Sequence, residues 1–134
     1  MHDDEEGSIL PLAISYAVLA IAVIFVCVCA TDLYIQQKRL DGLADAAALA
    51  GADGFTLAVV DGEPRAEVTA SGVREQAEAI ASFVGDVSLV AADSPDGVSA
   101  RVTLATVWHP PLVSAFVPEG VPLEATATSR TALR

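Results

Sequence analysis

SILPLAISYAVLAIAVIFVCVCAT, residues 8–31, is a run of 24 residues without a charge. It passes without a break into DLYIQQKRLDGLADAAALAGA, residues 32–52. About 20 consecutive apolar residues let an α-helix cross a ~30 Å hydrocarbon core. Only a helix does this as a single segment, because it satisfies each backbone N–H and C=O internally. The reading is one long N-terminal helix. A tail or leader over 1–7 precedes a transmembrane stretch over 8–31, and a helical extension follows over 32–54.

Three fates of this N-terminus fit the residues. Val28-Cys29-Ala30 before Thr31 is a small-residue pattern that a signal peptidase could cut, releasing a small secreted protein. Against it stand an acidic start (His2, Asp3, Asp4, Glu5, Glu6) and a run longer than a signal peptide's apolar region. A permanent single-pass anchor is the second fate. The third is trimming after Gly7, with the chain then starting at Ser8 and keeping a helix able to leave the bilayer. Lys38 and Arg39 follow the helix and nothing basic precedes it, so the positive-inside rule alone would put the C-terminal part in the cytoplasm. Asp32 and Asp41 flank that pair and weaken the signal.

Cys27 and Cys29 are the only cysteines. Two residues apart on a helix, they point in different directions. They read as small apolar filler, with S-acylation as the minor alternative. No disulfide framework is available to the residues downstream.

The extension changes character. Leu33, Gln36, Leu40, Leu43, Ala47 and Ala50 follow a 3-4 spacing, a narrow seam for a partner helix. Gly42, Ala46 and Ala50, four apart, would let two helix backbones approach closely. The expected packing residues are Leu40, Leu43, Ala46, Ala47 and Ala50. That face fits a helix of another chain and the chain's own downstream domain about equally well. Gly51 and Gly54 bracket the end of the helix.

Residues 55–134 read as one small α+β domain. Phe55–Val60 is a short strand, Asp61-Gly62-Glu63-Pro64 a turn, and Ala66–Ala70 a second short strand. A helix follows from about Ser71, its cap, with Val73, Ala77, Ile80 and Val84 on one stripe and Gly85 as its stop. Val87–Ala92 is a short strand and Asp93–Gly97 a turn. Val98–Trp108 alternates, with Val98, Ala100, Val102, Leu104, Thr106 and Trp108 on one face. His109-Pro110-Pro111 ends it, since proline cannot donate to a ladder. Val121–Ser129 is the last strand, with Val121, Leu123, Ala125 and Ala127 facing one way. The fold expected is a small antiparallel sheet packed against helix.

The net charge of −11 argues against nucleic acid as a partner, because an acidic surface repels phosphate. Beyond residue 40, 13 acidic residues face five Arg, so the acidity belongs to the domain and reads as a solvated exterior. The motifs of catalysis are missing. His2 lies on the tail, His109 precedes two prolines, and no second His or Cys lies downstream to complete a zinc site. Gly51-Ala52-Asp53-Gly54 is not a phosphate loop. Asp41 and Asp45 sit one helical turn apart and read as solvated. The chain is expected to be no enzyme, to carry no cofactor or metal and to bind no small-molecule substrate.

The apolar helix running into Asp32–Ala52, above all LADAAALAGA at 43–52, resembles the N-terminal segment of TadG-like proteins of the tight-adherence (Flp) pilus system and of the related TadE-like pseudopilins. The likeness covers about residues 7–54. More loosely, ATATSR at 125–130 is similar to the end of TadE-like proteins. The resemblance implies a minor pilin or pilus-assembly component with links to secretion and adhesion. Its partners would be the membrane and other pilin-like proteins met through the helix. It also implies an extracytoplasmic C-terminal domain, against the charge rule, possible incorporation in a surface pilus, and cleavage between Gly7 and Ser8. Two positions depart from the pattern. TadE-like pseudopilins usually carry Glu five residues past the cleavage glycine, where this chain has Leu12, and basic residues before it, where this chain is acidic. The large extra domain frequent in TadG is absent from this sequence. A permanently anchored extracytoplasmic module that recruits a basic partner is the alternative outside the pilus class.

Overall fold

The computed structural model describes residues 3–132, with backbone alone over 3–8. Residues 1 and 2 of the expected leader, His2 included, lie outside the described residues. The chain divides into two units, Met1–Tyr34 and Ile35–Arg134, and the helix α1 (Asp3–Asp53) contributes to both.

In the first unit every described side chain is exposed or half-buried, and Leu10, Tyr16, Ile21 and Val26 are among the largely exposed. A helix apolar on all sides is stable only inside a bilayer or an assembly. By length and composition α1 can cross a membrane. Its hydroxyls turn inward: Ser15 Oγ donates to the Pro11 carbonyl at 2.8 Å and Thr31 Oγ1 to the Cys27 carbonyl at 2.8 Å. Each polar group is thereby satisfied within the helix. Pro11 lies inside α1. It has no N–H to offer the carbonyl four residues back, which is that of Gly7.

The second unit is α+β. After α1 come strands β1 (Thr56–Val60) and β2 (Glu63–Glu67), helix α2 (Ala70–Val84), and strands β3 (Ser88–Asp93), β4 (Ser99–Trp108) and β5 (Val121–Arg130). β1 and β2 pair as an antiparallel hairpin, and β3, β4 and β5 form an antiparallel sheet in that order. Residues 35–53, whose face fitted the chain's own domain and a helix of another chain about equally well, pack with the domain: Leu40, Ala44, Ala47, Ala48 and Ala52 join Val73, Ala77 and Ala81 of α2 and Ala100, Val102 and Leu104 of β4 in one core. Of the 15 buried apolar residues ten are alanine, so the helices lie close to each other and to the sheet rather than over a thick filling.

Three local readings are corrected. The turn is only Asp61-Gly62, both at positive φ (56° and 83°), the geometry of a two-residue type I′ hairpin. The second strand therefore begins at Glu63 instead of Ala66. Pro64 is tolerated because Val60↔Glu63 closes the turn, which leaves Val59↔Pro64 a pair without ladder bonds. The cap of α2 is Thr69, not Ser71: its Oγ1 accepts from Gly72 N at 3.2 Å, and its extended backbone (ψ 148°) ends the strand direction there. In α2, Val73 and Ala77 are buried as expected and Ile80 is partly so, but Val84 is exposed and Ala81 takes its place. Gly85 stops the helix at φ 84°.

β4 and β5 follow their alternation. Val102 pairs with Ala127 and Leu104 with Ala125 on the core face, while Thr103 and Thr126 share a 2.8 Å hydroxyl contact on the outer face. β3 carries a bulge between Leu89 and Ala91, which turns both Leu89 and Ala92 toward the core although they are three apart. The β3–β4 turn is tied by Asp96. Its Oδ1 accepts from Val98 N at 3.1 Å and Ser99 N at 2.7 Å, and its Oδ2 accepts from Ser99 Oγ at 2.9 Å.

Candidate functional site

The expected packing residues divide. Leu40 and Ala47 are buried in the core of their own unit, Leu43 and Ala50 are half-buried, and Ala46 is exposed. The buried stripe is 40, 44, 47, 48, 51 and 52, broader than the seam read from sequence and rotated from it. A helix on a sheet needs a stripe of i, i+4, i+7, i+8 and i+11, and alanines fill it without announcing themselves. The remaining apolar positions form an outward stripe of Ile35, Gly42, Ala46 and Leu49. A Cβ added at Gly42 would meet nothing within 4 Å. This second stripe is the exposed apolar face of α1 within the second unit.

The inward stripe is held by specific contacts. Gln37 Nε2 donates to the Glu124 carbonyl of β5 at 3.1 Å and to Asp41 Oδ1 at 3.0 Å. Asp41 also receives Lys38 Nζ at 3.6 Å, an exposed pair worth little by itself. Asp45 is exposed, one turn beyond. At the far end of α1, Gly51 meets Val73 and Ala100, and Gly54 N donates to the Ala50 carbonyl at 3.0 Å.

Two hollows mark the second unit. An open cleft of about 920 Å³ is lined by Glu63, Pro64, Arg65 and Ala66 of β2 and by Val98, Arg130, Thr131 and Ala132. A smaller one, about 170 Å³, lies between Gln36, Arg39, Leu40 and Leu43 of α1, Val84 at the end of α2, Asp86, Val87 and Thr106. Neither brings together a nucleophile, a base and an orienting partner. Among the described residues no group of three or more His, Cys, Asp or Glu is placed to hold a metal ion. His109 directly follows the end of β4, and Cys27 and Cys29 are both free thiols. Among the described residues no buried side-chain nitrogen or oxygen lacks a hydrogen-bond partner, so none is left waiting for a ligand.

Gly7 and Ser8, the expected processing residues, lie in the backbone of α1, and their side chains are outside what is described. Pro11 gives that junction a property the sequence reading did not use: the Gly7 carbonyl, half of the Gly7–Ser8 peptide, has no helical donor.

The helix is long and apolar enough to cross a membrane, and its residues from Ile35 on enter the core of a small α+β unit with one face inward and one outward. Residues 7–54 match the Tad family model, described as "Putative Flp pilus-assembly TadE/G-like". The match takes in most of α1, ends at Gly54, one residue beyond it, and leaves residues 55–134 outside. The domain supports a component of a Flp/Tad-type pilus. No curated protein and no solved structure matches the chain.

Proposed function

We propose that this chain is a non-enzymatic, single-pass membrane protein that serves a Flp/Tad-type pilus as a minor pilin-like or assembly component, with the second unit outside the cytoplasmic membrane. The observation that carries the proposal is the coincidence of the matched residues, 7–54, with the helix that holds both the membrane-length apolar run and the outward stripe Ile35, Gly42, Ala46 and Leu49. The first part inserts the chain in the bilayer and the stripe meets the helices of other pilus proteins. Maturation by cleavage between Gly7 and Ser8 belongs to the same proposal, as does the pilus as a route to adhesion.

The test is pilus assembly in the native host. Ala46→Leu and Gly42→Leu enlarge the outward stripe and touch nothing in the core, so the protein should accumulate at normal levels while pili are lost. Normal pili in both variants would sink the stripe as an assembly surface. Protease added outside intact cells should remove the second unit and leave the first unit protected; full protection would reverse the proposed orientation.

A further inference from the structure

The second unit places its most exposed large apolar side chains at one end. α1 and α2 run antiparallel within it: Gly51 of α1 and Gly54 just after it meet Val73 and Gln76 near the start of α2, whereas Gln36, Arg39 and Leu40 share a hollow with Val84, at the end of α2. β4 is ordered likewise, with Ala100 against Gly51 and Thr106 at the hollow. The end of α2 and the β4–β5 loop, residues 109–120, therefore lie at the end of the unit where Ile35 begins it. Phe83 is 93% exposed there, and Leu112 and Phe116 are each 85% exposed. The next most exposed, Val59 at 74%, belongs to the β1–β2 hairpin that follows the opposite end of α1.

Leu112 stands at φ 66°, a conformation that a bulky residue keeps only when its surroundings impose it. Gly120 closes the loop at φ 67° where no Cβ fits, so the loop has a fixed form. Exposed apolar side chains from two elements distant in sequence, gathered at one end, are what a surface needs to enter an apolar medium. The charges nearby are mixed, with Lys38 and Arg39 against Asp86 and Glu119, so attraction to anionic lipid is not what brings it there. Ile35 follows Thr31, the last residue of the uncharged run, by four positions, a reach of at most ~14 Å for extended chain.

We infer that Leu112 and Phe116 of the β4–β5 loop, together with Phe83, insert into the lipid surface of the membrane that holds the first unit, giving the second unit its own interfacial attachment. The inference rests on the membrane anchoring proposed above. The occupant is the acyl–headgroup boundary of the bilayer, where Phe and Leu sit ~5–10 Å deep.

The test uses the full chain reconstituted in phosphatidylcholine vesicles. Trp108 is the sole tryptophan. In a Trp108→Phe background, Phe116→Trp and, separately, Phe83→Trp report from the two tips, and Val59→Trp reports from the hairpin. Emission from positions 116 and 83 should fall roughly two-fold when the acyl chains carry bromine, because side chains at interfacial depth reach them. Val59→Trp should be unaffected, and added salt should change nothing. If the chain stays in alkali-washed vesicles but neither tip is quenched, the inference is overturned and the anchoring stands. If alkali strips the chain from the vesicles, both fall. Unquenched emission from position 116 that shifts to the blue as protein is added to fixed lipid would mean that a second copy covers the loop, and would also overturn it.

Discussion

Gly51 of α1 lies so close to Val73 of α2 that a Cβ on the glycine would stand 3.0 Å from Val73 Cγ1, and 3.2 Å from the Ala100 Cβ of β4. Both neighbours are fully buried, so neither has room to give way. The glycine thus sets how closely the two helices and the sheet approach.

Gly51→Ala should destabilise the second unit. Alanine is preferred to glycine in a helix by about 1 kcal/mol, but overpacking a filled core costs about 1–3 kcal/mol, so the clash wins by about 1 kcal/mol. Gly42→Ala, with nothing near its Cβ, should instead stabilise. Urea unfolding of the solubilised full chain, followed by Trp108 emission, measures both. A stabilising Gly51→Ala would show that α1 and α2 can part.

Gly120 presents a harder limit. A Cβ there would fall 2.5 Å from Val107 Cγ1 and 2.7 Å from the Trp108 carbonyl, at φ 67°. Gly120→Ala adds that clash to the ~1–2 kcal/mol of a left-handed residue, and the backbone carbonyl cannot rotate away. Gly62→Ala in the hairpin turn has the strain alone, since nothing stands within 4 Å. The midpoint shift for Gly120→Ala should exceed that for Gly62→Ala by at least two-fold. Equal shifts would mean that the β4–β5 loop reshapes freely.

Asp96 ties stability to pH. The N–H of Val98 is the largest influence and holds its carboxyl below the ordinary carboxylate value; slight desolvation opposes this, and Ser99 and Arg130 add to the lowering. A carboxyl depressed in the folded state stabilises above its unfolded pKa of about 3.9, and the contribution is lost as pH falls through the lower folded value. Asp96→Asn should therefore lower stability at neutral pH and approach the wild type in acid. A gap of constant size from pH 7 to pH 2 would mean that only the geometry of the turn had been disturbed.

Pro11 bears on maturation. Pro11→Ala restores an N–H to the Gly7 carbonyl, so cleavage at Gly7–Ser8 should slow and the uncut form should accumulate in the native host. Intact-mass analysis distinguishes the chain starting at Met1 from that starting at Ser8. Equal cut fractions in the variant and the wild type would remove any role for the donor that Pro11 lacks.

The long helix was legible from an uncharged apolar run of membrane length, and strands β4 and β5 from a period of two sustained over about ten residues. The hairpin was misread at Pro64 because proline reads as a break, whereas the type I′ turn leaves it a place without ladder bonds. β3 was read within a residue of its true bounds, but the bulge after Leu89 breaks its alternation, so its inward positions Leu89 and Ala92 were not legible. The inward face of α1 was only half legible, since alanine lies on both sides of the helix and its volume does not tell core from surface. Thr69 lost to Ser71 as a cap because both are hydroxyl residues two positions apart, and only the backbone direction separates them.

The last turns of α1 pack one face against α2 and the sheet. Within the second unit, residues 35–53 form a rod seated on its neighbours along their length. Pulling the rod free means sliding Leu40, Ala44, Ala47 and Ala48 past their neighbours together, so the contacts are loaded in shear instead of being peeled one by one. The second unit would hold this helix against axial pulling far better than its thin alanine core suggests.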